Sequence, residues 1–137
     1  MSEAYRHVVS ISVFAGVLLA LGVLTFILLI YADSAAAQRV AEMAGDRLLE
    51  LIVYGAAERC VLRVSLSNIA SRPFEVYAVN ATHLRVEVPL KLFTWIKAVE
   101  LVELPGGVEM SYRGLLPPSF YLCFNERGGV VVVEVRE

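Results

Sequence analysis

The chain offers few side chains that do chemistry. Its two histidines, His7 and His83, stand alone, because neither has a partner at a zinc-binding spacing such as HxxxH or CxxC. Glu87 shares a predicted strand face with His83, but four extended residues separate the pair by about 13 Å, too far for a base and its orienting group. The sequence contains no GxSxG, phosphate-binding loop or dinucleotide-binding motif. We therefore expect no catalytic residue, no metal ligand and no cofactor, and predict that the protein is not an enzyme.

The two cysteines, Cys60 and Cys123, are the next residues with reactive side chains. In an oxidising compartment a disulfide between them would close a long loop, which the chain-entropy model values at about 4 kcal/mol. The alternative is two free thiols in the core, because cysteine also packs as a small apolar residue. We expect the bridge.

Asn80 begins the triplet Asn-Ala-Thr, an N-x-T sequon between two predicted strands, where a turn would expose it. Such triplets also arise by chance, so the alternative is an unmodified surface asparagine. Asn80 is the candidate for N-glycosylation, and it favours a location outside the cytoplasm.

The longest apolar segment of the chain lies near the N-terminus, before all the residues discussed above except His7. Residues 8–32 are 25 residues without a charge, about 37 Å of helix, and the hydrocarbon core of a bilayer is about 30 Å thick. A signal peptide is the alternative, but its apolar region has about 7 to 15 residues and follows a basic segment. Here the run is longer, and only Arg6 and His7 precede it. The segment therefore predicts a membrane-inserted helix.

Small residues recur at every fourth position of the apolar segment, at Ser12, Gly16 and Ala20. A stripe of this kind lets helix backbones approach closely, so it favours packing against other copies of the helix. The alternative is that small residues are simply frequent in membrane helices.

The helical pattern continues past the apolar segment. Residues 33–59 contain no proline and are rich in good helix formers, with apolar and charged residues on separate stripes. One helix is expected over residues 8–59, with a membrane or filament-core half (8–32) and an amphipathic half, and Gly55 is expected near its end. The predicted apolar stripe comprises Val40, Ala44, Leu48 and Leu51.

From residue 60 onward the sequence period changes from 3.6 to 2, which indicates strands separated by turns rich in proline and glycine. The fold class is therefore predicted as α+β, with the long helix followed by a small antiparallel β-sandwich head over residues 60–137. The last strand, VVVVEV, is apolar enough to be buried on both faces or to pair with another subunit. The predicted strands are Val61–Asn68, Phe74–Val79, His83–Val88, a run within Phe93–Leu104, Val108–Tyr112, Ser119–Phe124 and Val130–Val135.

Composition excludes several classes of protein. With 58% hydrophobic and 19% charged residues, the chain differs from both an ordinary cytosolic domain and a disordered one. Its net charge is −2, and without a dense cationic surface it lacks the main term for binding nucleic acid. We expect no nucleic-acid partner.

An apolar N-terminal segment, its continuation into a helix of about 50 residues, and a compact all-β head together resemble the plan of type IV pilin-like proteins. With an immunoglobulin-like head, the plan is similar to the archaeal branch, which includes adhesive pilins, archaellum filament proteins and archaellum-associated stator proteins. Prepilins carry a short charged leader that is cut just before the apolar segment. Residues 1–7 would be that leader, or a short cytoplasmic tail.

The resemblance implies a structural subunit of an extracellular type IV pilus-like filament. Apolar helices would pack into the filament core, and β heads would be displayed outside for adhesion or motility. The expected partners are other copies of the chain and, before assembly, membrane lipid. The alternative is a single-pass membrane-anchored accessory protein whose head binds a surface-layer protein or an archaellum component. Either way, the expected location is the cell surface.

Overall fold

A single long helix dominates the structure. In the computed structural model, which describes residues 2–137, helix α1 runs from Glu3 to Glu58 without a break, a length of about 84 Å. The Ser2 hydroxyl caps its first turn by accepting a hydrogen bond from the Tyr5 N–H at 3.4 Å. The predicted continuous helix is confirmed, and it begins before Val8, inside the expected leader. Met1, the first residue of that leader, lies outside the described residues.

The helix ends one turn after Gly55, not at it. Arg59 adopts the left-handed conformation with φ of 54°, and its N–H donates to the Gly55 carbonyl oxygen at 2.8 Å. Gly55 itself is needed for packing, because a Cβ there would overlap the ring of Phe124. Gly45 has a similar role, since its Cβ would lie 2.8 Å from Cγ2 of Val102. Both glycines let the helix approach the strands closely.

The rest of the chain forms two four-stranded sheets. Sheet I has the order β1-β7-β8-β5 and sheet II the order β4-β3-β2-β6. A short 3₁₀ turn, Leu66–Asn68, follows β1 where a longer strand was expected. The strands are β1 Leu62–Ser65, β2 Glu75–Ala78, β3 His83–Pro89, β4 Lys97–Glu103, β5 Val108–Met110, β6 Gly114–Leu115, β7 Ser119–Arg127 and β8 Val130–Arg136.

The predicted alternation of the strands is confirmed. In β3 the buried residues Leu84, Val86 and Val88 alternate with half-buried ones, and in β7 the buried residues Phe120 and Leu122 alternate with exposed or half-buried ones. The α+β class is therefore confirmed, but the purely antiparallel arrangement is wrong at one pair, because β5 lies parallel to β8. A parallel neighbour needs a long connection, and β6 and β7 lie between the two in sequence.

Strand β8 lies inside sheet I, between β7 and β5. Val133 is fully buried, but Val132, on the opposite face, is only half-buried. Of the two alternatives predicted for this strand, burial on both faces is wrong within the chain, and pairing with another subunit stays a prediction. Cross-strand neighbours on the outer face cover Val132 in part, among them Asn125 and Glu109, which lie directly opposite it.

The second half of α1 shares one hydrophobic core with both sheets. It packs against β3, β4 and β7, so the helix lies across the buried faces of the head. Small side chains line this contact, which keeps the helix axis close to the strands. The buried helix residues are Ala37, Ala41, Ala44, Gly45, Leu48, Ile52 and Gly55.

Candidate functional site

The first half of α1 is exposed along its whole length. Every residue from Ser2 to Leu29 is exposed, and large apolar side chains such as Phe14 and Leu19 have 65% and 71% of their surface uncovered. By length and composition this helix can span a membrane, and its most apolar stretch has no buried residue. Apolar surface of this extent is unstable in water, so it needs lipid or other helices around it.

Two polar side chains of this half form hydrogen bonds within the helix. The Ser12 hydroxyl donates to the Val8 carbonyl oxygen at 2.8 Å, and the Thr25 hydroxyl donates to the Leu21 carbonyl oxygen at 2.8 Å. Both bonds stay within the helix, so neither hydroxyl needs a water molecule. These two residues can therefore lie in lipid or in a helical bundle.

The predicted packing stripe is uncovered. Ser12, Gly16 and Ala20 are all exposed, and a Cβ added at Gly16 would have no neighbouring atom within 4 Å. The backbone at Gly16 is therefore accessible to a second helix. The stripe stays a prediction, because the structure contains one chain.

A buried ion pair marks the end of the apolar segment. Asp33, the first charged residue after that segment, has an Oδ1 atom 2.7 Å from Nη2 of Arg72, and both side chains are about nine-tenths buried. The other carboxylate oxygen of Asp33 accepts from the Leu92 N–H at 3.0 Å, and Arg72 also donates to the Pro89 carbonyl oxygen at 2.9 Å. This pair joins the helix to two separate segments of the head.

The Leu92 N–H is the main reason why the pKa of Asp33 lies below its ordinary value of 3.8. Burial acts in the opposite direction, and the hydrogen bond and positive charge of Arg72 lower the pKa further. Asp33 is therefore ionised at neutral pH, as its pairing with Arg72 requires.

Residues 91–96, which form most of the connection between β3 and β4 and are here named the junction loop, lie against the apolar half of the helix. The Phe93 ring contacts the Phe26 ring edge to face, with centroids 5.9 Å apart, and the Trp95 ring lies 4.9 Å from Phe93. Trp95 is nevertheless 74% exposed, and Leu92 and Ile96 are also exposed. The sequence pattern does not predict a site in this loop, although an aromatic and apolar run lies there between the only two lysines of the chain, Lys91 and Lys97.

A cluster of charges covers the outer face of sheet II beside the junction loop. Lys97 Nζ lies 3.7 Å from a Glu75 oxygen and 3.5 Å from a Glu87 oxygen, and the Glu75 charge is the main cause that raises the pKa of Lys97. The Tyr77 hydroxyl donates to Glu75 at 2.9 Å, and this hydrogen bond raises the pKa of Tyr77. The cluster fixes Lys97 at the base of β4.

The expected disulfide is absent, since Cys60 and Cys123 are both free and half-buried. Leu122 lies opposite Leu62 and faces the core, so its neighbour Cys123 points to the outer face of sheet I. Cys60 lies before β1, next to the residue that caps the helix. Because both thiols are free, they give no support to the expected outside location.

Asn80 lies in the exposed turn between β2 and β3. Its Oδ1 accepts hydrogen bonds from the Thr82 N–H and the His83 N–H, each at 2.9 Å. This is an Asx turn, which explains why the triplet suits the position without any glycan. The sequon is accessible, and its glycosylation stays a prediction.

The polar residues with potential chemistry are engaged separately. His83 Nδ1 lies 2.8 Å from the Thr82 hydroxyl oxygen, whereas Glu87 interacts with Arg85 and Lys97. Within residues 2–137 no three His, Cys, Asp or Glu residues are grouped so that they could hold a metal ion. The candidate functional features are therefore the apolar half of α1 and the junction loop. Comparison of the chain with protein-family models, curated proteins and solved structures finds no match.

Proposed function

We propose that the chain is a structural subunit of an extracellular type IV pilus-like filament of the archaeal kind. The observation that carries this proposal is the division of one unbroken helix: its first half is exposed and apolar, and its second half forms part of the core of the head. Such a helix serves both states of a pilin-like subunit. It holds the chain in lipid before assembly and packs against its copies in the filament afterwards.

Contacts between helix and head support the transfer of the subunit as one body. The glycines at 45 and 55 bring the helix against Val102 and Phe124, and Asp33 is bonded to both Arg72 and the Leu92 N–H. The head is therefore attached along the helix up to the first residue after the apolar segment. A force applied to one head would therefore be transmitted through its helix to the filament core, as a filament subunit requires.

The head would be displayed outside the cell for adhesion or motility, without catalysis. Its two four-stranded sheets on a common core are compatible with an immunoglobulin-like head. Glycosylation at the exposed Asn80 fits the same location. The stripe of Ser12, Gly16 and Ala20 would form contacts between helices in the filament core.

A second candidate is a single-pass membrane-anchored accessory protein whose head binds a surface-layer protein or an archaellum component. The observation that favours it is the junction loop, because Phe93 already contacts the apolar helix at Phe26. This contact gives the head a fixed position beside a bilayer, which an anchored receptor or stator needs permanently.

The N-terminal residue of the protein isolated from its own cells distinguishes the two candidates. Filaments sheared from the cell surface would be imaged by electron microscopy, and their subunits would be identified by mass spectrometry. The filament proposal expects this chain as a component, beginning near Val8. A chain found only in the membrane fraction, with Met1 or Ser2 retained, would replace the filament subunit with the anchored accessory protein.

A further inference from the structure

We infer that the junction loop, residues 91–96, is a second membrane contact, which inserts its aromatic and apolar side chains into the interfacial region of the bilayer. This inference rests on the proposed membrane-inserted state, which the filament subunit before assembly and the anchored protein share. The ligand is a lipid surface, bound by the head in addition to the helix.

The composition of the loop fits the headgroup region. Tryptophan and lysine are typical of the boundary between lipid and water, where the ring lies among the headgroups and the ammonium group reaches water. Here the single tryptophan of the chain, Trp95, lies between its only two lysines, Lys91 and Lys97. The most exposed large apolar side chain of this loop is Trp95 itself, 74% of whose surface is uncovered.

The position of the loop along the helix fits the same region. Phe26, which contacts the loop at Phe93, precedes Asp33 by seven residues, or about 10 Å of helix. Each interfacial layer of a bilayer is about 5 to 7 Å thick. If Asp33 lies at the outer edge of the headgroups, Phe26 lies just inside the hydrocarbon, and the loop that reaches it must enter the layer between.

The apolar segment is also longer than the hydrocarbon core requires. Its 25 residues span about 37 Å, which exceeds the core by about 7 Å. This excess is available for the interfacial layer, where the junction loop lies beside the helix. The length of the segment and the depth of the loop are therefore consistent.

The loop is held in its conformation by hydrogen bonds to its ends. The Leu90 N–H donates to the Ile96 carbonyl oxygen at 2.9 Å, and the Ile96 N–H donates to the Phe93 carbonyl oxygen at 3.0 Å. The Leu92 N–H is bonded to Asp33. A preorganised loop loses little conformational entropy when it enters lipid, so the exposed Trp95 and Ile96 enter the bilayer at a small ordering cost.

Trp95 reports on the inference directly, because it is the only tryptophan. The full chain would be reconstituted into phosphatidylcholine vesicles, recovered by flotation, and its tryptophan fluorescence quenched by lipids that carry a nitroxide at carbon 5 or carbon 12 of the acyl chain. The control is Val61→Trp in a Trp95→Phe background. Val61 is 63% exposed and lies just past the end of a helix that extends about 38 Å beyond Asp33.

We expect blue-shifted emission from Trp95 and at least twofold stronger quenching by the carbon-5 label than for the control. If the chains float with the vesicles but Trp95 is quenched no more strongly than the control tryptophan, the loop does not contact the membrane, although the helix is still inserted. Chains that do not float would overturn the membrane-inserted state and the loop contact with it. A blue shift that disappears when the protein is diluted in lipid would assign the loop to a second copy of the chain, which also overturns the inference.

Discussion

Oδ1 of Asp33 lies 2.7 Å from Nη2 of Arg72 where the helix leaves its apolar segment. Asp33 belongs to α1, Arg72 precedes β2, and the Leu92 N–H that Asp33 also accepts from belongs to the junction loop. One carboxylate therefore connects three segments that are distant in sequence. Because these bonds lie where the head meets the apolar half of the helix, they hold the head and that half of the helix at a fixed angle.

Asp33→Asn should weaken the attachment of the head to the helix. The substitution removes the negative charge but leaves the Arg72 guanidinium buried, and a buried charge without its partner is strongly unfavourable. We expect a lower melting temperature for the full chain in detergent, and faster proteolysis within residues 90–96. Asp46→Asn is the matched control, since Asp46 is an exposed carboxylate of the same helix. Equal melting temperatures for the two variants would contradict this role of Asp33.

The pH dependence of stability should carry the signature of Asp33. Because the pKa of Asp33 is lowered in the folded protein, its contribution is complete above the unfolded value of about 4 and is lost as the pH falls through the folded pKa. The melting temperatures of the wild type and of Asp33→Asn should therefore differ most near neutral pH and converge in acid. A difference that stays constant between pH 7 and pH 2.5 would show that ionisation of Asp33 does not stabilise the fold.

The sequence predicts the elements whose residue pattern is local. The predictions fail where contacts between segments that are distant in sequence determine the structure. The alternation of Leu84, Val86 and Val88 defines β3 because one face of a sheet is buried. For the helix, Ala44 and Leu48 are buried as predicted, but Val40 and Leu51 lie only at the margin of the core, and Ala41 and Ile52 lie within it. The head covers a stripe rotated from the one that hydrophobicity alone favours, because small side chains permit the closest approach.

The remaining errors have the same cause. Gly55 resembles a helix stop in sequence, yet its role depends on Phe124, which is nearly seventy residues away. The parallel pairing of β5 with β8 and the two-residue strand β6 are tertiary features without a periodic signal. The sequence predicts a strand within Phe93–Leu104, but the aromatic run at its start belongs to the junction loop and β4 begins only at Lys97. Periodicity cannot show that such a run contacts the apolar helix.

Gly55→Ala should destabilise the protein although alanine is the better helix former. Alanine favours the helix by about 1 kcal/mol, but its Cβ would overlap the buried Phe124 ring, and overpacking of a core costs about 1–3 kcal/mol. We expect a net loss of about 1 kcal/mol in the free energy of unfolding, measured by denaturant titration of the full chain in detergent. In a Phe124→Leu background the same substitution should cost less. An unchanged cost in that background would separate Gly55 from Phe124.

Cys60 and Cys123 should both remain free thiols whether or not a reducing agent is present. Protein purified without reductant, unfolded and treated with a maleimide should gain two adducts, because Cys60 and Cys123 are free. Cys123→Ser should then change the melting temperature by far less than the loss of a disulfide, which is worth about 2–5 kcal/mol. Recovery of a linked pair of peptides from the untreated protein would mean that the thiols meet and oxidise outside the conformation described above.

Gly16→Leu should block assembly and leave membrane insertion intact. Leucine is more apolar than glycine, so the helix still enters lipid, but the larger side chain fills the open space at Gly16 and keeps a second helix at a distance. Val17→Leu is the matched control, because it adds bulk at an exposed position next to the stripe of Ser12, Gly16 and Ala20. In cells that produce each variant, we expect filaments from Val17→Leu, and only membrane-inserted chains without filaments from Gly16→Leu. If Gly16→Leu builds filaments in normal number, the helices pack through another face, and the small-residue stripe has no part in the contact.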